Sequence, residues 1–382
     1  MEMADTTSES KPNQREVPTR LFFADNLRTL LIILVFLDHL AITYGSPFGL
    51  WYYHEGQVGF PEAAIYGAFQ STVQAFFMGL LFFLAGYFTP SSFDRKGPKE
   101  FLKDRLIRLG IPIIIFAIFV EPVVDYAVAL SSGFNGSFLS YVSTYLPFGL
   151  GPLWFVLALL VFDTAYVFWR IFSSKPSKAF PFPTKRVIFA FGLLIGVTTF
   201  AIRIVFPVDW SVPVLAFIPA FFPQYIAFFI FGLIAYRSNW ILSLPKETGN
   251  FWGGVASLLP LGVAGIFTVS ILTGASFLGG FTWQTAAYAL WEQVFAIAIS
   301  IWLVVWFREK HNTQSRFLRI LSDSSYTAYI IQTPVLVFLA LSLQSIQLPL
   351  LLKFAIVSPV GVGFCFLFAY LIRKIPKADT VL

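Results

Sequence analysis

Three histidines occur in 382 residues, and only His39 lies inside a long apolar run, with His54 and His311 in polar connections. Histidine is the side chain best suited to take and return a proton near neutral pH. Inside an apolar stretch it is costly unless it faces a polar interior, so proton transfer is the leading reading and a hydrogen-bonded packing role the alternative. Arg28 precedes it by eleven positions. Three helical turns take about 10.8 residues, so the two share a face, roughly 16 Å apart along the axis. A second basic pair, Arg105 and Arg108 in KDRLIRLGIP, stands one turn apart on one helix face. At an interface, these three planar guanidinium forks suit phosphate oxygens, whereas the neighbouring Lys99 and Lys103 read as solvated decoration.

Carboxylates recur in the apolar runs as well. Counting from the helix starts puts Glu121, Asp163 and Glu292 near the bilayer midplane with His39, joined by Asp38 and Asp125. A charge there costs at least about 2.5–3.5 kcal/mol, so such groups default to function. Four helices supplying ionisable groups at one level argue for a hydrated central cavity. The alternative for each acid is a protonated carboxyl hydrogen-bonded within the bundle. Asp38 is the candidate to orient His39, and Asp25 to cap its helix and orient Arg28. Trp154 and Tyr326 either line the cavity or pack. Nothing marks a nucleophilic serine or cysteine. Cys365 is the only cysteine and sits in an apolar run, so no intrachain disulfide forms. No metal site is expected.

The elements that carry these residues must cross a membrane. The chain is 57% hydrophobic, 12% charged and 19% aromatic, with mean hydropathy +0.75. Too few polar residues remain to cover a water-soluble fold of this size. A spanning helix needs about 20 apolar residues. Ten such runs occur, at 23–45, 64–89, 109–131, 151–173, 187–206, 213–236, 251–273, 281–307, 324–345 and 349–373. The expected fold is therefore an all-α, polytopic bundle of about ten transmembrane helices. Ten spans place 24 of the 26 Lys and Arg on one side, leaving Arg203 and Lys353 opposite. By the positive-inside rule both termini are cytoplasmic, and the net charge of +6 needs no nucleic acid to explain it. Residues 1–20 read as a polar cytoplasmic arm that is not a cleavable signal, 21–375 as one membrane domain, and 376–382 as a cytoplasmic tail.

At these residues the sequence resembles the acyltransferase-3 family of integral membrane acyltransferases. ADNLRTLLIILVFLDH looks like the family's D-x-x-R-x10-H opening, with Asp25, Arg28 and His39 in place. RLIRLGIP resembles its R-x-x-R element, GPLWF its H/G-x-LWF segment, and SYTAYIIQTP its SY-x-x-Y-x-x-H-x-P segment. The match spreads from about residue 20 to 375. One departure is Gln332, which stands where that last element carries histidine and can only hydrogen-bond. The third-span opening and the SYTAY segment look most like the branch of periplasmic-glucan succinyltransferases.

The resemblance implies a cytosolic acyl-CoA co-substrate, with no tightly bound cofactor, and a carbohydrate or glycan hydroxyl as acceptor on the outer side. O-acetylation or O-succinylation would follow, in the inner or plasma membrane. Arg28, Arg105 and Arg108 would hold the coenzyme phosphates, and His39 would act as general base. Glu121, Asp163, Glu292, Trp154, Tyr326 and Gln332 are the candidates for the acceptor. The rival is a proton-coupled secondary transporter using His39 and the midplane carboxylates. No number of subunits follows from the sequence.

Overall fold

The computed structural model describes residues 20–146, 149–173 and 179–382. All of the expected N-terminal arm except Arg20 lies outside them, as do Lys175 and Lys178. Among the described residues the fold is helical, with one isolated β-bridge between Val212 and Phe217. The helices are α1 (Phe22–Thr43), α2 (Glu62–Gln74) and α3 (Phe77–Arg105). A short α4 (Ile111–Ile115) follows between two π-helical turns, Leu106–Gly110 and Phe116–Val120. Then come α5 (Glu121–Ser131), α6 (Phe138–Tyr145), α7 (Trp154–Phe172), α8 (Lys185–Val205) and α9 (Phe222–Arg237). The chain finishes with α10 (Trp240–Ser243), α11 (Lys246–Thr273), α12 (Trp283–Lys310), α13 (Arg316–Ser342) and α14 (Leu350–Ile372).

Nine segments among the described residues are long and apolar enough to cross a membrane. One of them, Glu62–Ser131, has 70 residues and would be about 105 Å long, several bilayers thick. It breaks at Gly97, whose φ of 76° is open to glycine, followed by Pro98. The expected spans 64–89 and 109–131 lie on either side of that break. The stretch between those spans, SSFDRKGPKE included, is thus not a loop but two helical pieces meeting at a glycine corner. The expected span 213–236 is corrected too. Its helix starts at Phe222, because Pro213 and Pro219 keep the preceding stretch in turns, while Pro223 sits in the first turn of the helix, where proline is tolerated.

Serine and threonine supply the caps where side chains do so: Ser137, Thr184, Thr282 and Ser315 each accept a backbone N–H from the first turn they precede. Asp25 does not cap α1, which begins after Leu21. In α1 and α12, 67% of the apolar window is buried, against 17% in α11, so α1 and α12 form the centre and α11 faces outward. Cys365 is fully buried on α14.

α3 and α9 meet backbone to backbone. A Cβ on Gly232 would stand 2.2 Å from the Phe83 carbonyl, and one on Gly86 2.2 Å from that of Phe229. Small residues at such crossings let membrane helices approach closely. Gly232→Val should cost about 3 kcal/mol or more, since a backbone oxygen cannot step aside. The expected result is loss of the monodisperse peak in detergent size-exclusion chromatography. Gly254→Val, on the open side of α11 with nothing within 4 Å of its Cβ, should keep that peak.

Candidate active site

His39 sits one turn before the end of α1, beside the connection that leads to α2. Its Nδ1 is 3.0 Å from Gln332 Oε1 on α13. An amide oxygen only accepts, so Nδ1 carries the proton and donates it, and Nε2 keeps its lone pair. The ring stacks on Trp51, with centroids 3.8 Å apart and planes 13° off parallel. Asp38, the residue expected to orient the imidazole, lies instead beside Gln70. Successive helical residues point about 100° apart, so neighbours in the chain do not face each other.

The stretch between α1 and α2 folds over this centre. Glu55 N–H donates to the Thr43 carbonyl at 2.9 Å, and its carboxylate receives Lys353 Nζ from α14. Lys353 is 1% exposed and also donates to the carbonyls of Leu343 (2.7 Å) and Ile346 (3.0 Å). That strap carries Trp51 onto His39 and lets the Tyr52 hydroxyl donate to Glu121. Burial, reinforced by the Glu121 carboxylate, holds the Tyr52 phenol well above its ordinary pKa, so it stays a donor. Gly151, at φ 44°, leaves room for it: a Cβ there would come 1.9 Å from the Tyr52 oxygen. Tyr329 donates to the Pro152 carbonyl and fixes the GPLW turn.

These groups surround a cavity of about 780 Å³. His39, Asp38, Glu121, Asp125 and Trp154 all line it, together with Trp51, Tyr52, Asp209, Tyr225, Tyr288 and Tyr329. One wall is the turn before α9, where Val214 (φ 67°) and Ala216 (φ 54°) are left-handed. A β-branched residue there is strained, and such strain gathers at functional sites. The turn is held by Leu150 N–H on the Val214 carbonyl at 2.9 Å.

Two of the expected midplane acids are elsewhere. Asp163 is fully buried, with Oδ2 2.7 Å from Arg105 Nε and Oδ1 accepting from Thr89 at 2.8 Å. Glu292 pairs with Arg203 at 2.6 Å, both side chains at zero exposure. Arg203 was expected at the outer face; it is instead the buried counter-ion that explains Glu292. Gln293 donates to the same carboxylate at 2.8 Å, and Gln224 to Gln293 at 3.0 Å. Neither Asp163 nor Glu292 lines the cavity.

The arginines collect at the opposite end of α1. Asp25 receives Arg20 at 2.6 Å and Arg28 at 3.4 Å, so it does orient Arg28. Thr29 and Ser325 hydroxyls meet at 3.0 Å, joining α1 to α13 one residue from Arg28 and one from Tyr326. Tyr326 donates to the Arg108 carbonyl at 2.5 Å, on the first π turn, and so lies here and not in the cavity. Arg28 and Arg108 present side chains 37% and 50% exposed, whereas Arg105, at 20%, is engaged by Asp163 and lies over Phe101. This end can receive an anion; the other holds a base with its lone pair free.

Trp51, Tyr52, Tyr225 and Asp209 are site residues that sequence reasoning passed over. The aromatic run LWYYHEG, in a short connection beside the His39 helix, was the available signal.

The described residues thus form a bundle of apolar helices that encloses a polar, histidine-bearing cavity, with arginines at one end. Residues 21–370 match the acyltransferase domain that defines the acyltransferase-3 family, and the chain belongs to that family. Among curated proteins it is similar to Glucans biosynthesis protein C of Escherichia coli O1:K1 / APEC, 26% identical over 350 residues, covering 86% of this chain and 83% of the relative. The protein of that name from Escherichia coli strain K12 / DH10B is 26% identical over 347 residues, with the same coverage. No solved structure matches the chain.

Proposed function

We propose that this protein moves an acyl group, acetyl or succinyl, from acyl-CoA to a carbohydrate hydroxyl across a cell or inner membrane, with His39 as general base. The single observation that carries the reading is the imidazole fixed by Gln332 and Trp51 at the wall of a cavity, its Nε2 unencumbered. The names of the relatives support a glucan as acceptor. The Lys and Arg distribution supports an orientation with the Arg28 end at the cytoplasm and the cavity outward.

In this reading Arg28 and Arg108 hold coenzyme phosphates, and Arg105 stands beside them, set by Asp163. The acyl thioester reaches His39 from that end. As the acceptor oxygen attacks the thioester carbonyl carbon, its proton passes to Nε2. The C–S bond breaks, an ester C–O bond has formed, and the proton returns to the leaving thiolate. Gln332 keeps the base in the tautomer with Nε2 free.

The test follows free thiol released from acetyl-CoA and from succinyl-CoA by purified protein with a glucan mixture. Acceptor-dependent release is expected with at least one donor. In Arg28→Ala with Arg108→Ala, the donor KM should rise about 10-fold or more, as for lost charge-assisted phosphate contacts. Substrate flux in proteoliposomes without any thiol release would overturn the reading and leave proton-coupled transport in its place.

A further inference from the structure

The described residues lining the cavity include four carboxylates, on Asp38, Glu121, Asp125 and Asp209, and no lysine or arginine. The cations buried among the helices are already engaged: Arg203 with Glu292, and Lys353 with Glu55 and two carbonyls. From this we infer that the acceptor site takes an uncharged polyhydroxy ligand and rejects sugars that carry carboxylate or phosphate. The inference rests on the reading of the cavity as an acceptor site.

Two independent features aim the site at such a ligand. Asp38 Oδ1 and the Tyr225 hydroxyl have no hydrogen-bond partner, although their residues are 6% and 1% exposed and both line the cavity. Buried polar atoms without a partner await one. Carboxylates accept from sugar hydroxyls, and Trp51 and Trp154 add aromatic surface to the same lining, on which the C–H side of a pyranose ring can pack. An anionic substituent finds no lysine or arginine among these lining residues. Whatever protons the four acids hold, they give the cavity no positive charge to set against an anion. Its volume lies within the range of about 300–1,000 Å³ usual for small-ligand sites.

The experiment compares a neutral gluco-oligosaccharide with a uronic-acid oligosaccharide of the same length. Binding to purified full-length protein in detergent is measured by equilibrium dialysis, and acylation by kcat/KM with whichever donor releases thiol. The neutral sugar should bind and react at least 10-fold better. The ratio should shrink in high salt and in Asp125→Asn with Asp209→Asn. Equal or tighter binding of the uronic-acid sugar by the wild type overturns the inference. So does a ratio that neither salt nor the double variant moves. The binding arm needs no turnover: a 10-fold binding preference without thiol release supports the inference and sinks the acyltransferase reading alone.

Discussion

Replacing His39 by alanine should lower thiol release by about 10²–10⁴-fold, the usual worth of a positioned general base, while acyl-CoA still binds. The arginines proposed to hold the donor lie at the other end of α1, roughly 16 Å away by helix geometry, so removing the imidazole leaves them in place. The substitution does open a space beside Trp51, whose stack on the ring is lost. A fold-only effect would lower donor binding and chemistry together; the expected pattern is a fall in kcat with the donor dissociation constant within about 2-fold, each readable by single-turnover kinetics and direct binding. Gln332→Leu sharpens the comparison. It keeps the imidazole but removes the acceptor for Nδ1–H, so the ring is free to change tautomer and rotate. Its rate should fall between those of wild type and His39→Ala. Full activity in His39→Ala would mean that another group takes the proton, and full activity in Gln332→Leu that the ring is held without that amide.

Glu292→Leu should be the most damaging single change to the bundle. Arg203 is at zero exposure, its Nη2 rests on Glu292, and its Nε and Nη1 have no hydrogen-bond partner. What remains around it is the faces of Phe221 and Tyr288, at 5.4 and 5.2 Å. Stranding one member of a buried ion pair costs about 3–5 kcal/mol, whereas replacing both by apolar residues of similar volume is often close to neutral. The double variant Arg203→Met with Glu292→Leu should therefore recover most of the loss. Apparent melting temperature in detergent reads both. Equal destabilisation by the single and double variants would mean that the pair does not act as a unit.

How far the sequence reaches is visible in these two pairs. Apolar runs of about twenty residues are a one-dimensional signal, and the central helices carrying His39, Glu292 and Gln332 follow it closely. Depth along a helix is also one-dimensional, but direction is not. His39, Glu121 and Asp125 turn toward one cavity, while Asp163 and Glu292 turn to Arg105 and Arg203. Arg203 read as a lone outer charge because its partner is 89 positions away. The GPLW and SYTAY segments were legible as motifs, yet their use is to hold shape: Tyr329 reaches the Pro152 carbonyl and Tyr326 that of Arg108. Trp51 and Tyr52 sit in what looks like a plain connection, and the Lys353–Glu55 and Tyr52–Glu121 ties, spanning 298 and 69 positions, hold that connection over the imidazole.

The order of synthesis gives that long reach a temporal meaning. Gln332 follows His39 by 293 residues, and the strap's lysine comes later still. At about 5–20 residues per second, the imidazole waits roughly 15–60 s for its hydrogen-bond partner. Through that interval the nascent protein has the base without the contacts that aim it. On the proposed reading, the part of the chain that carries the imidazole is therefore made before α13 and α14, which bring the groups that hold it in place.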